Sequence, residues 1–210
     1  MRAKEVEFDV TYIDLLNKPD WFLAKSPRGL VPILEVDGEV LFESNAIAEY
    51  LDEAVAPRLH PEDPIARARN RAWTDCISDL SSAISGGLAY AETREAVDEG
   101  LTDAREALEP IEAALAKRGN AGPYFNGPDL SLVDCAYAPF LQRFTYVERY
   151  LKSGLLEDFP LVAAWRDTLL ADPRVTGAVP DNFIDEYRKG MRRRKSYVST
   201  LLEPESAAAE

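Results

Sequence analysis

The dipeptide Asp37-Gly38 separates two short apolar-rich runs, VPILEV at 31–36 and EVLFE at 39–43. Both central positions of a two-residue hairpin turn want positive φ, which Gly adopts freely and Asp tolerates, so this stretch predicts an antiparallel hairpin. From Ser44 the pattern changes period. Ile47, Tyr50 and Leu51 recur at three- and four-residue spacing, which predicts a helix that starts directly where the second strand ends. Val31-Pro32 and Glu43-Ser44 are thus brought into relation across one hairpin.

The chain around this hairpin has two textures. Upstream, VEFDVTYID (6–14) alternates apolar and polar residues as a half-buried strand does, and NKPDWFLAKSPRG predicts a brief helix around Trp21, Phe22 and Leu23. Downstream, AVAPRLHPEDP (54–64) carries three prolines and no periodicity, the mark of a linker. Beyond it the periodicity is helical, over 65–85, 92–118, 131–151, 160–171 and 183–197. The expected fold class is α+β: a small mixed unit over 1–56, a linker at 57–64, an all-helical domain over 65–198 and a flexible tail at 199–210. Ser131 and Asp134 have the spacing of a capping box for the helix at 131–151. They are expected to be a folding signal rather than a catalytic pair.

Bulk properties narrow the function. At 46% hydrophobic and 29% charged residues, the 210-residue chain is composed like an ordinary globular protein and not like a disordered one. A net charge of −13 repels phosphate backbones, so neither nucleic acid nor an anionic membrane is the expected partner. No apolar run has the length of a membrane span. Cys76 and Cys135 lie far apart without metal-ligand spacing, so no metal is expected. With no leader-like run, reduced thiols in a cytoplasmic protein are the expectation.

Pro32 lacks an amide hydrogen, so it belongs at the start or edge of a strand. If the Val31–Pro32 bond is cis, the chain turns sharply and Val31 offers its backbone N–H and C=O to an extended peptide. The alternative is an ordinary trans proline. Ser44 is expected to be the N-cap of the following helix, whose first amides and positive dipole end suit a carboxylate, while Glu43 suits an ammonium. Alone, this is a cap with a neighbouring acid. Together with Val31-Pro32, it describes a cleft for a short peptide bearing a free α-amino-acid end.

The stretch NKPDWFLAKSPRGLVPILEVDGEVLFESNAIAEYLDEA, with the LSLVD box at 130–134, resembles the cytosolic glutathione transferases, and most of all omega-class and related bacterial members. The resemblance covers nearly all of 5–190. It implies a thioredoxin-like domain, here shortened at its N-terminal side, followed by an all-helical glutathione-transferase domain. It implies glutathione as co-substrate, with Val31 pairing to the cysteinyl backbone ahead of cis-Pro32, Glu43 and Ser44 holding the γ-glutamyl zwitterion, and Lys18 helping to hold the glycyl carboxylate. By residue type alone, Lys18 is a solvated turn lysine. A homodimer and an electrophilic or disulfide co-substrate follow from the same likeness.

The chain departs from the family pattern at its beginning. Members open with a strand and a loop carrying the reacting Cys, Ser or Tyr, whereas MRAKEVEFDV resembles only the end of the first helix and the second strand. The expectation is therefore an internal methionine with about 20–25 residues upstream, judged from the length of a strand, loop and helix. The alternative is a genuinely short, non-catalytic homologue. Without the first strand, 6–14 would leave an open edge and an uncovered apolar face. The catalytic residue is thus unknown. Cys76 and Cys135 are expected to be buried core thiols, and His60 a surface residue of the linker. The basic run YRKGMRRRKSY (187–197) reads as a solvated helix end. Phe140, Phe144, Tyr146 and Tyr150 read as core, or as the lining of an apolar co-substrate pocket between the domains. The leading function is a glutathione-dependent transferase or thiol-exchange enzyme. The runner-up is a non-catalytic scaffold for a partner protein, or one that sequesters hydrophobic ligands.

Overall fold

The computed structural model describes residues 1–202. The chain forms two compact units, one of Met1–Arg71 and a second beginning at Ala72, so the division falls inside a helix.

The first unit opens with a 3-10 turn at Arg2–Lys4 and continues through α1 (Asp20–Lys25), β1 (Ile33–Val36), β2 (Glu39–Phe42) and α2 (Ser44–Ala54). The hairpin forms in the register Ile33↔Phe42, Leu34↔Leu41, Glu35↔Val40 and Val36↔Glu39. Its turn residues take positive φ, 51° at Asp37 and 87° at Gly38, as the dipeptide demanded. The strand expected at 6–14 is absent. Among the described residues the sheet has two strands, and nothing pairs with that stretch. Alternation prepares a strand, but the ladder needs a neighbour that exchanges hydrogen bonds with it. Val10, Tyr12, Leu15 and Leu16 are accordingly exposed, and the buried apolar side chains of this unit are Phe22 and Ile47.

What ties the unit together is polar. The Lys4 ammonium, buried, donates to the carbonyls of Val55 and Pro57, both at 2.6 Å, and pairs with Asp52 at 3.0 Å. Asp52 also accepts from the amides of Leu59 and His60 at 2.6 and 3.1 Å. Burial by itself would raise the Asp52 carboxyl. The Leu59 amide, the Lys4 ammonium and the His60 amide outweigh it, and the net shift is downward. This clasp draws in the segment after α2 and corrects the reading of His60. The ring is buried, with Nε2 2.8 Å from Glu49 Oε1, because Asp52 pulls its backbone against the helix. Glu49 in turn accepts from Arg71 at 2.6 Å.

α3 (Pro64–Asp75) carries the chain into the second unit, where α4 (Ile77–Ser82) runs into a π-helical stretch at Ala83–Ala89. The single helix expected over 65–85 is thus interrupted. Cys76 sits at the junction and is exposed, contrary to the buried thiol expected there. α5 (Arg94–Ala116), α6 (Leu132–Leu151), a 3-10 turn (Leu155–Asp158), α7 (Pro160–Ala171), α8 (Pro173–Thr176), α9 (Phe183–Arg193) and α10 (Tyr197–Leu201) follow. α10 occupies the beginning of the stretch expected as a tail; residues 203–210 lie outside the described residues.

α5 begins where Thr93 accepts from the Ala96 amide at 3.2 Å, and it packs on the π-helical stretch through Gly87 and Gly100. A Cβ on Gly100 would stand 2.5 Å from the Gly87 backbone, so only hydrogen fits. α7 receives its cap from another helix: Glu112 of α5 accepts from the amides of Leu161 and Val162 at 3.0 and 2.8 Å. The capping box of α6 is formed. Ser131 Oγ accepts from the Asp134 amide, and Asp134 accepts from the Ser131 amide at 2.8 Å. Asp134 also accepts from the Phe125 amide at 2.9 Å and from Trp165 Nε1 at 2.6 Å. Burial pushes its carboxyl upward even against these donors. Around it pack Phe125, Tyr137 and Trp165, with ring centroids 5.4–5.5 Å apart, so the cap doubles as the centre of the helical core.

Candidate functional site

Ile33 faces Phe42 in the last rung of the hairpin, so Val31-Pro32 and Glu43-Ser44 leave β1 and β2 at the same end. The Val31–Pro32 peptide bond is cis and Val31 is exposed. Four of the five residues singled out from the sequence therefore meet at one edge of the first unit, on residues that neither strand ladder consumes.

The start of α2 differs from expectation in one respect. Glu43, not Ser44, is the N-cap, with φ 66° and ψ 119°, and its side chain makes no capping bond. The first intrahelical bond is donated by Ile47 to the Glu43 carbonyl at 3.0 Å. Ser44 is therefore the first helical residue, and its exposed hydroxyl makes no hydrogen bond within the protein among the described residues. A non-glycine residue at such a φ costs of order 1–3 kcal/mol and persists only where its surroundings impose it. Here the imposing geometry is an immediate passage from strand to helix, with no residue left over for a turn.

The third side of the site is the loop before β1. Ser26 is buried, and its hydroxyl donates to the Leu30 carbonyl at 3.0 Å and accepts from the Leu30 amide at 3.1 Å. Gly29 takes φ 61°, which closes the loop, and its carbonyl accepts from Lys18 Nζ at 2.8 Å. Lys18 thus holds the loop that leads into Val31. Sequence reasoning missed Arg28. Its Nη1 donates to Glu43 Oε1, with both side chains about half exposed. The signal was available in SPRG, a proline–glycine turn that sets Arg28 three residues before Val31.

The thiols and aromatics belong to the second unit. Cys135 is half-buried on α6, and burial followed by the Asp134 charge pushes its thiol up to about 11, so it stays protonated at neutral pH. Residues 1–71 contain no cysteine. Phe144 and Tyr146 are buried, while Phe140 and Tyr150 are half-buried. Phe144 also lines a pocket of about 570 Å³, together with Glu148, Leu156, Glu157, Arg166 and Asp167. The basic run lies on α9 and beyond, where Tyr187 and Met191 are buried and Lys189 pairs with Glu186 at 2.8 Å. Among the described residues no cluster of His, Cys, Asp or Glu could hold a metal, and no helix is long and apolar enough to cross a membrane.

A hairpin unit that ends on a cis proline beside a helix start, followed by helices built round a buried capping box, is the thioredoxin-like plus helical architecture of the glutathione transferases. Residues 1–54 match the family model described as the glutathione S-transferase N-terminal domain, and residues 94–168 match that of its C-terminal domain. The chain is 33% identical over 181 residues to glutathione S-transferase omega-1 of Sus scrofa, covering 84% of this chain and 71% of that protein. Among solved structures it is similar to a rice glutathione transferase in complex with glutathione, with TM-score 0.77, 27% identity, and coverage of 91% and 90% of the two chains. It is also similar to glutathione transferase Omega 3C of Trametes versicolor, with TM-score 0.71, 25% identity, and coverage of 91% and 84%. The chain belongs to the cytosolic glutathione transferase family.

Proposed function

We propose that the first unit binds glutathione at the open end of its hairpin and that the protein serves a transferase or thiol-exchange reaction of this tripeptide. The observation that carries the reading is the hairpin register, which sets cis Val31-Pro32 and Glu43-Ser44 at one edge. Val31 offers a backbone donor and acceptor to the cysteinyl residue, as a single rung of strand addition. The Ser44 hydroxyl and the first turn of α2 take the γ-glutamyl carboxylate, since the positive end of a helix favours an anion. Glu43 takes the ammonium. Lys18 supports this geometry through Gly29, and its role toward the glycyl carboxylate belongs to the reading on family likeness.

The thiol chemistry calls for a group that stabilises a thiolate, and Cys135 does not suit the role, because burial holds it protonated. The reaction subtype, the apolar or disulfide co-substrate and a homodimeric, cytoplasmic enzyme belong to this proposal on family likeness.

Calorimetric titration with glutathione tests the reading. Saturable binding is expected, weakened at least tenfold in Glu43→Ala, because a charge-assisted hydrogen bond contributes about 1.5–3 kcal/mol. Absence of binding, or a Glu43→Ala variant that binds like the parent, would favour a scaffold without a thiol ligand.

A further inference from the structure

We infer that Arg28 is a specificity-determining residue: its guanidinium, seated on Glu43, completes a dipolar pair that requires both the α-ammonium and the α-carboxylate of a γ-glutamyl ligand. The inference rests on the glutathione reading above and deepens it. The ammonium nitrogen and the carboxylate carbon of an α-amino acid are both bonded to one carbon, about 2.5 Å apart, so whatever grips the first determines where the second lies. An ammonium on Glu43 therefore carries its own carboxylate to the flank of that side chain. Arg28 Nη1 donates to Glu43 Oε1, so a cation stands beside that side chain for the carboxylate to meet.

The chemistry leaves both partners capacity for a ligand. A carboxylate has about four lone-pair sites, and a guanidinium five N–H donors in a planar fork. Among the described residues, Arg28 and Glu43 are each other's side-chain partners and have no second one, so Oε2 and the remaining guanidinium donors are open. Both side chains are about half exposed, at 57% and 51%, so neither is spent on core packing.

Position is also prepared. The Ser26 hydroxyl closes the loop onto Leu30, Lys18 pins the Gly29 carbonyl, and Gly29 at φ 61° makes the turn, so the Arg28 backbone is held before any ligand arrives. On the other side, the Glu43 backbone is fixed between β2 and α2. An exposed ion pair between two such anchored residues adds little to stability. Its fit is to a ligand that bears the opposite dipole.

The test compares glutathione with two analogues by calorimetry. Glutaryl-cysteinylglycine keeps the carboxylate and lacks the ammonium; 4-aminobutyryl-cysteinylglycine keeps the ammonium and lacks the carboxylate. Arg28→Gln is expected to weaken glutathione and the glutaryl analogue roughly tenfold, and to leave the 4-aminobutyryl analogue unchanged. Arg28→Lys should fall between, having charge without the fork. Glu43→Gln should show the converse pattern. If Arg28→Gln leaves glutathione unchanged, binds it more tightly, or weakens both analogues equally, Arg28 is a bystander or a competitor and the assignment is wrong. If Glu43→Gln binds glutathione like the parent, the γ-glutamyl reading itself fails, a result that the Arg28 variants alone would not produce.

Discussion

At Glu43 one residue serves two ends that conflict. Its backbone sits at φ 66°, where glycine is at ease and glutamate is not, while its carboxylate faces Arg28 at the candidate ligand edge. Glu43→Gly should therefore separate the two, with about 1 kcal/mol gained in urea unfolding and glutathione binding lost together with the charge. A stability loss would show that the backbone is unstrained there. Asp172 offers a second test at this scale. It accepts from Arg174 and from Tyr124 Oη at 2.8 Å, and the Arg174 guanidinium, acting against burial, holds its carboxyl down to about 2. A depressed carboxylate stabilises the fold above its ordinary value of 3.8, and that contribution disappears as pH falls through about 2. Thermal melts of Asp172→Asn should be lower than the parent at neutral pH and should converge with it between pH 4 and 2. Parallel curves would dismiss the carboxylate as the source.

Among the elements, the close approach of the π-helical stretch to α5 depends on two glycines that no side-chain pattern announced. Gly100→Ala would press a methyl into the Gly87 backbone and is expected to cost several kcal/mol in chemical unfolding. Gly86→Ala, one position from Gly87 and with no atom within 4 Å of its added Cβ, should be neutral or stabilising by up to about 1 kcal/mol. Equal losses in the two variants would mean that glycine serves backbone freedom here and not contact. The same scale separates what was legible from what was not. Asp37-Gly38 and the Ser131–Asp134 box act over two and four residues, so local rules read them correctly. The stretch at 6–14 needed a partner strand, and His60 needed Asp52 and Glu49 from a neighbouring helix. Local rules therefore gave an unformed strand in one place and a surface histidine in the other.

For the whole molecule, the expected consequence of the proposed function is ligand-linked stability. Glutathione at a hundred times its dissociation constant should stabilise the folded chain by about 2.7 kcal/mol and raise the melting temperature by roughly 5–10 °C. Glu43→Ala at the same concentration, with binding weakened at least tenfold, should keep at most about half of this shift. An unchanged melting temperature in the parent would count against binding at any site. With a net charge of −13, the protein presents an unfavourable field to an anionic tripeptide. Local donors, namely Lys18, Arg28 and the start of α2, must therefore supply the attraction, and added salt should weaken binding only modestly.

The sequence by itself determined the hairpin turn, the proline before β1, the capping box of α6 and the helical second half, because each is decided by the φ preferences, missing donors or spacing of a few adjacent residues. Only the tertiary structure decided that Glu43 and not Ser44 caps α2, that Arg28 lies on Glu43, that His60 is buried and that Cys76 is exposed. Those outcomes depend on which distant side chain fills a space or accepts a proton, and a distant partner leaves no mark in the local pattern.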